Sequence, residues 1–130
     1  MKNLLLILSI SLIFSCGNSS IKDIDFSTIN EPCDYIDVGE LLVDRAYKIQ
    51  QQYLDSVEFG DHARILLFER DLGEAADSLI ISSEIEKEIM MIMDKLNELS
   101  KFGNDNWETK DYENCSNFEE VKRKTEELKL

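Results

Sequence analysis

Basic residues, proline, glycine and histidine are all scarce in this 130-residue chain, and each shortage closes off a class of protein. A single proline, Pro32, and five glycines leave few places where a helix has to stop. Glu, Lys, Leu, Ile and Met fill the chain instead, and these are good helix formers, so the expected fold is all-α. Only 14 Lys and Arg stand against 27 Asp and Glu, a net charge of −13. The one basic run, Lys122-Arg123-Lys124, is hemmed in by Glu119, Glu120, Glu126 and Glu127. Phosphate backbones are bound by clustered cations that displace counterions, so nucleic acid is not an expected partner. An acid-rich surface of this kind serves as a solvated, self-repelling coat; its sharper use is a face for a basic partner protein or for divalent cations.

Long apolar runs are also missing, with one exception at the start. After Lys2 the stretch Leu4–Phe14 is apolar but for Ser9 and Ser11. Its eleven residues span roughly half of the hydrocarbon thickness as a helix, too short to cross a bilayer. These are the dimensions of a signal-peptide core. An ordinary cleavage site needs small residues at two positions, yet Ile13 and Phe14 are bulky and only Ser15 is small. The tetrapeptide Ile13-Phe14-Ser15-Cys16 resembles the bacterial lipoprotein signal, whose lipobox ends in a small residue and then cysteine. Phe14 departs from its strictest form. The resemblance covers residues 1–16 and the polar residues after them, and says nothing of the domain.

It implies diacylglyceryl transfer to the Cys16 thiol, cleavage before Cys16 and acylation of the new amino terminus, including palmitate-type chains. One acyl chain holds only marginally, at about 0.8 kcal/mol per buried CH₂, whereas two or three anchor stably. By the sorting rule of Gram-negative lipoproteins, Gly17 rather than Asp after the cysteine implies the outer membrane of the cell envelope. The competing expectations are a conventionally secreted protein and an uncleaved anchor.

Three cysteines form an odd set, and an exported protein rarely leaves one idle. With Cys16 acylated, Cys33 and Cys115 remain as a pair in an oxidising compartment. Their surroundings match. Cys33 precedes Asp34, a good N-cap with Asp37 three residues on, and Cys115 precedes Ser116, with Glu119 completing a capping box. A Cys33–Cys115 disulfide would hold two helix starts together, with the first and last helices side by side and parallel. In the chain-entropy model such a closure contributes about 4–5 kcal/mol, comparable to a small domain's whole stability. Two free thiols are the alternative; a zinc site would lack ligands, since His62 is the only histidine.

The chain therefore divides into a signal peptide at 1–15, a flexible lipid-anchored tether at 16–32 and a helical domain at 33–130. In the domain, Tyr35, Val38, Leu42, Ala46, Ile49 and Tyr53 make one amphipathic face of a helix starting at Asp34 and weakened at Gly39. Gly60 and Asp61 mark a break. Ile65, Phe68, Leu72, Ala76 and Leu79 form a second stripe; Ile85, Ile89, Ile92, Leu96 and Leu99 form a third, with coiled-coil spacing. The two are about a third of a turn out of phase, so the chain breaks at Ser83–Glu86, kinks near Gly73, or runs through with a winding face. Residues 102–115 read as a polar loop around Trp107 and Tyr112. A last helix over 117–129 turns Phe118, Val121, Thr125 and Leu128 inward, with Glu119–Arg123 and Glu120–Lys124 pairs outside. The expected architecture is a small bundle, or an elongated αα-hairpin, of three to four helices.

Motifs that carry chemistry are few. No phosphate-binding glycine loop, GxSxG or HExxH is present. Counting an EF-hand from Asn104 puts Thr109 where glycine is required and Cys115 where the bidentate Glu belongs. Met90, Met91 and Met93 could offer thioethers to copper, but core filling explains them as well. No cofactor, metal or catalytic residue is expected. What remains is a membrane-anchored, helical lipoprotein that acts by protein binding or structural contact. An inhibitor or immunity-type lipoprotein for a cationic protein, and an enzyme built on unrecognised carboxylates, are the alternatives.

Overall fold

A computed structural model describes residues 21–54, 57–72 and 83–130. Cys16, the signal segment and residues 73–82, with Gly73, Ala76 and Leu79 of the second stripe, lie outside the described residues. Those described form a small helical bundle of five helices, with no strand among them: α1 (Pro32–Tyr53), α2 (Phe59–Leu72), α3 (Ser83–Asn106), α4 (Thr109–Tyr112) and α5 (Phe118–Glu127). The fifth helix beyond the three or four expected is α4, a single turn.

Helix α1 starts two residues before Asp34. Pro32 occupies its first position, where a missing N–H costs nothing, and Glu31 in extended backbone is the cap. Asp34 sits in the first turn and reaches back: its Oδ2 accepts the N–H groups of Glu31 at 3.1 Å and Asn30 at 3.2 Å. Its buried face is Ile36, Gly39, Leu42, Val43, Ala46 and Ile49. This is wider than the expected stripe, and Tyr53 stays exposed, because α1 is the central helix with neighbours on two sides.

On one side α3 runs antiparallel to α1: Arg45 meets Glu88, Gly39 faces Leu99, and Tyr35 lies on Gly103. On the other, α5 runs parallel to it: Asn117 bonds Asp37 and Glu40, and farther along Lys124 bonds Asp44 at 2.6 Å. Ile89 and Ile92 of α3, Phe59 and Ala63 of α2, Ala46 and Ile49 of α1 and Leu128 are fully buried in one core. The third stripe is thus spent inside the protein's own bundle.

Helix α2 departs from expectation. Phe59, Ala63 and Leu66 are buried, whereas Ile65 is 54% and Phe68 64% exposed. The cause lies at the helix start. The Phe59 N–H donates to Gln50 Oε1 at 2.7 Å, and Gly60 is not a helix stop but a docking point, its N–H donating to the Leu128 carbonyl at 2.7 Å. A Cβ on Gly60 would lie 2.1 Å from the Lys129 carbonyl oxygen, a contact only glycine permits. With its start pinned this way, α2 cannot turn Ile65 and Phe68 inward. Among the described residues of 61–102, helix α2 is described as far as Leu72 and α3 from Ser83.

Two further boundaries move. Helix α3 continues through the expected polar loop to Asn106, because Gly103 lets the Tyr35 ring close against it; a Cβ there would stand 2.5 Å from Tyr35 Cε2. Helix α5 begins at Phe118 with Asn117, not Ser116, at the cap position. Asn117 spends its amide on Asp37 (2.9 Å) and Glu40 (2.6 Å) of α1, and the Ser116–Glu119 capping box does not form. Outside α5, Arg123 pairs with Glu120 and Glu127 rather than Glu119, while Lys124 pairs with Asp44 as well as Glu120. Helix α5 ends in a Schellman turn. The Leu130 N–H returns to Thr125 and Lys129 takes the left-handed conformation at φ 58°.

Within the expected tether, Ile21, Ile24, Phe26 and Ile29 pack against the helices, while most of the other residues of 21–31 are exposed. A short 3₁₀ turn at Phe26–Thr28 and buried Ile29 close over Leu42 and Leu99.

Candidate functional site

Cys33 lies inside the first turn of α1, and Cys115 sits in the turn between α4 and α5, so neither directly precedes a helix start. Their sulfurs are 2.07 Å apart and their Cα atoms 5.4 Å apart, the geometry of a disulfide. The juxtaposition pins α4 to the beginning of α1. An aromatic block grows around it: Tyr35 stacks on Tyr112 at 5.0 Å between ring centroids, with Trp107, Phe102 and Phe118 against them. Burial pushes the Tyr35 and Tyr112 pKa values above the ordinary tyrosine range, with Tyr35 and Asp111 adding to the effect on Tyr112.

This block closes one end of a groove. Helices α3 and α5 flank α1 on either side, and the space between them is an open cavity of about 550 Å³. Ile36, Gly39 and Val43 of α1 make the floor. One wall is the α3 face Met93, Leu96, Asn97 and Ser100; the other is the α5 face Phe118, Val121, Lys122 and Thr125. Each wall follows an i, i+3, i+4, i+7 pattern, so each offers two full turns of one helix face. The lining is predominantly apolar, with polar groups confined to the walls and lip. A groove of this size and character is the ordinary form of a binding site.

Its polar chemistry is limited. Thr125 donates its hydroxyl to the Val121 carbonyl at 2.7 Å and is spoken for. Asn97 and Ser100 face the groove from α3, and Lys122 and Glu126 stand one turn apart on the α5 lip. Among the described residues of the lining, Glu126 is the one acidic side chain, and neither a histidine nor a thiol joins it. What the arrangement offers a ligand is shape, apolar contact and a few hydrogen bonds.

The residues singled out for chemistry are dispersed. His62 sits at the start of α2, half-buried, with Nε2 shielded and unpartnered. Met93 faces the groove, Met91 a second cleft and Met90 the core margin, so three thioethers do not converge for copper. Among the described residues no cluster of three or more His, Cys, Asp or Glu side chains is placed to hold a metal ion. The basic run splits three ways: Lys122 to the groove lip, Arg123 to Glu120 and Glu127, Lys124 inward to Asp44. Among the described residues no helix is long and apolar enough to cross a membrane. Asn97 and Ser100 carry no sequence signal of a site; they read as ordinary polar positions beside the α3 stripe.

Comparison of the chain with protein-family models, with curated proteins and with solved structures finds no match.

Proposed function

We propose that this chain is a small acidic lipoprotein, anchored through Cys16 in the outer membrane of a bacterial envelope, and that it binds a basic partner protein through the α1–α3–α5 groove. The groove carries the reading: it is formed in the free protein, has an apolar floor and is braced at one end by the Cys33–Cys115 pair. A braced cleft binds with less ordering cost than a soft one. The net charge of −13 supports the choice of a basic partner, since a field of one sign raises encounter rates with the opposite charge. Oxidation of the cysteine pair and acylation of Cys16 both belong to an envelope protein and are part of the same proposal. The proposed function is recognition, and it is supported by a lining that is predominantly apolar, with Glu126 its acidic side chain among the described residues.

The test is site-specific photocrosslinking in intact cells, with the reactive group placed at Asn97 inside the groove or at Glu69 on α2. A basic protein captured from Asn97, absent from Glu69 and lost in a Ser100→Trp variant that fills the groove, is the expected result. Equal capture from both positions, or capture unchanged by Ser100→Trp, would overturn the assignment.

A further inference from the structure

A second cleft lies on the back of α1. At about 100° per residue, Arg45 stands roughly half a turn around the helix from Ile36 and Val43, which floor the groove. Arg45, Lys22 and Lys87 enclose a space of about 470 Å³ with Met91 and Ile21, joined by the carboxylates of Glu84 and Glu88. Glu88 is committed to Arg45, whose Nη2 donates to its Oε2 at 3.0 Å while Nε donates to Oε1. Lys22 and Lys87 are left facing Glu84 alone, and neither has an ion-pair partner among the described residues. The lining thus carries three cations to two anions in a chain of net charge −13.

Three features of this face point to one occupant. The first is the sign of its charge, opposite to that of the molecule. The second is its apolar content: Leu41, one turn from Arg45 on the same side of α1, is 57% exposed, and exposed Lys48 lies one turn the other way. The third is position. Ile21 lines the cleft, and it stands only five positions along the chain from Cys16. Fully extended, five Cα-to-Cα steps span about 17 Å.

We infer that the face made by Lys22, Arg45 and Lys87, with Leu41 and Lys48 beside it, docks on the anionic phospholipid headgroups of the membrane that holds the chain, its cleft receiving a headgroup phosphate. Juxtamembrane lysines and arginines act on anionic lipid in this way. The placement rests on the acyl anchor proposed above; the docking face does not need the anchor in order to bind. With the back of α1 against the lipid, the groove opens away from the membrane toward a partner.

The test has two arms. The acylated protein, reconstituted into vesicles, is followed by hydrogen exchange. Residues 41–48 and 84–91 are expected to be protected on vesicles containing phosphatidylglycerol and not on pure phosphatidylcholine. In the second arm the processed chain carrying Cys16→Ser is co-sedimented with the same vesicles. Lys22→Ala and Lys87→Ala are each expected to weaken binding to anionic vesicles about fivefold, with added salt doing the same. Melting curves matching the parent show that the variants are folded. Equal binding to both vesicle types, no loss in either lysine variant, or the same protection from inorganic phosphate without vesicles would overturn the inference. Loss of the acyl mass with vesicle binding retained would sink the anchor alone; an acylated protein with this face unprotected would sink the docking alone.

Discussion

At the scale of single residues, two buried glycines carry opposite expectations. A Cβ on Gly60 collides with the Lys129 backbone, so Gly60→Ala forces α2 off the end of α5 and should cost about 1–3 kcal/mol. A Cβ on Gly39 would rest 3.7 Å from Leu99 Cδ2, an ordinary contact. Gly39→Ala should therefore raise stability by up to about 1 kcal/mol through helix propensity. Urea melts of the two variants check both signs. Tyr35 and Tyr112 bring a pH dependence. Burial raises both pKa values, so the folded state favours the neutral phenol. That contribution is intact below the ordinary tyrosine pKa of about 10 and is lost as pH rises through the folded values. Lys124, raised by its hydrogen bond to Asp44, adds a loss of the same sign in the same alkaline range. The melting temperature should fall above pH 10 or so, and fall less in Tyr35→Phe. An identical alkaline profile in that variant would remove Tyr35 from the explanation.

At the scale of elements, legibility followed the size of the apolar side chains. The α3 stripe and the inward face of α5 were readable because Ile89, Ile92, Leu99, Val121 and Leu128 mark one side at regular spacing. The register of α2 was not readable. It is set by Phe59, Gly60 and Ala63, of which the last two carry almost no hydrophobic signal, while the bulkier Ile65 and Phe68 face outward. Caps misled for a related reason. Asp34 and Ser116 are good N-cap residues, but Pro32 supplies a better first position for α1, and the tie from Asn117 to Asp37 and Glu40 sets the start of α5. The observed register makes a sharp prediction. Ile65→Lys and Phe68→Lys should each change stability by less than about 0.5 kcal/mol, whereas Leu66→Ala should cost about 2–5 kcal/mol. Chemical denaturation decides it, and comparable losses at all three positions would put α2 in the wrong rotation. The groove itself was invisible in the sequence. It exists because α3 and α5 both pack on α1 and leave a gap between them, a tertiary fact that no local pattern encodes.

At the scale of the whole molecule, the Cys33–Cys115 pair ties distant parts of the chain together. Cys33 and Cys115, 82 residues apart in sequence, meet where α1, α4 and α5 come together and hold the closed end of the groove. A bond between them shortens the unfolded chain's freedom by about 4.5 kcal/mol in the entropy model. Cys33→Ser should lose an amount of that order, with no further loss on adding Cys115→Ser, as measured by the denaturation midpoint. In the proposed function Cys16 has the other half of the work: it is to fix the chain to a membrane, with the back of α1 toward lipid and the groove toward a partner. The most direct measurement is intact and peptide-level mass spectrometry of the protein purified from its native membrane without reductant. The account predicts a chain beginning at Cys16 that carries added acyl mass, together with a linked Cys33–Cys115 peptide pair. A chain lacking acyl mass at Cys16, with Cys33 and Cys115 both open to alkylation, would contradict it.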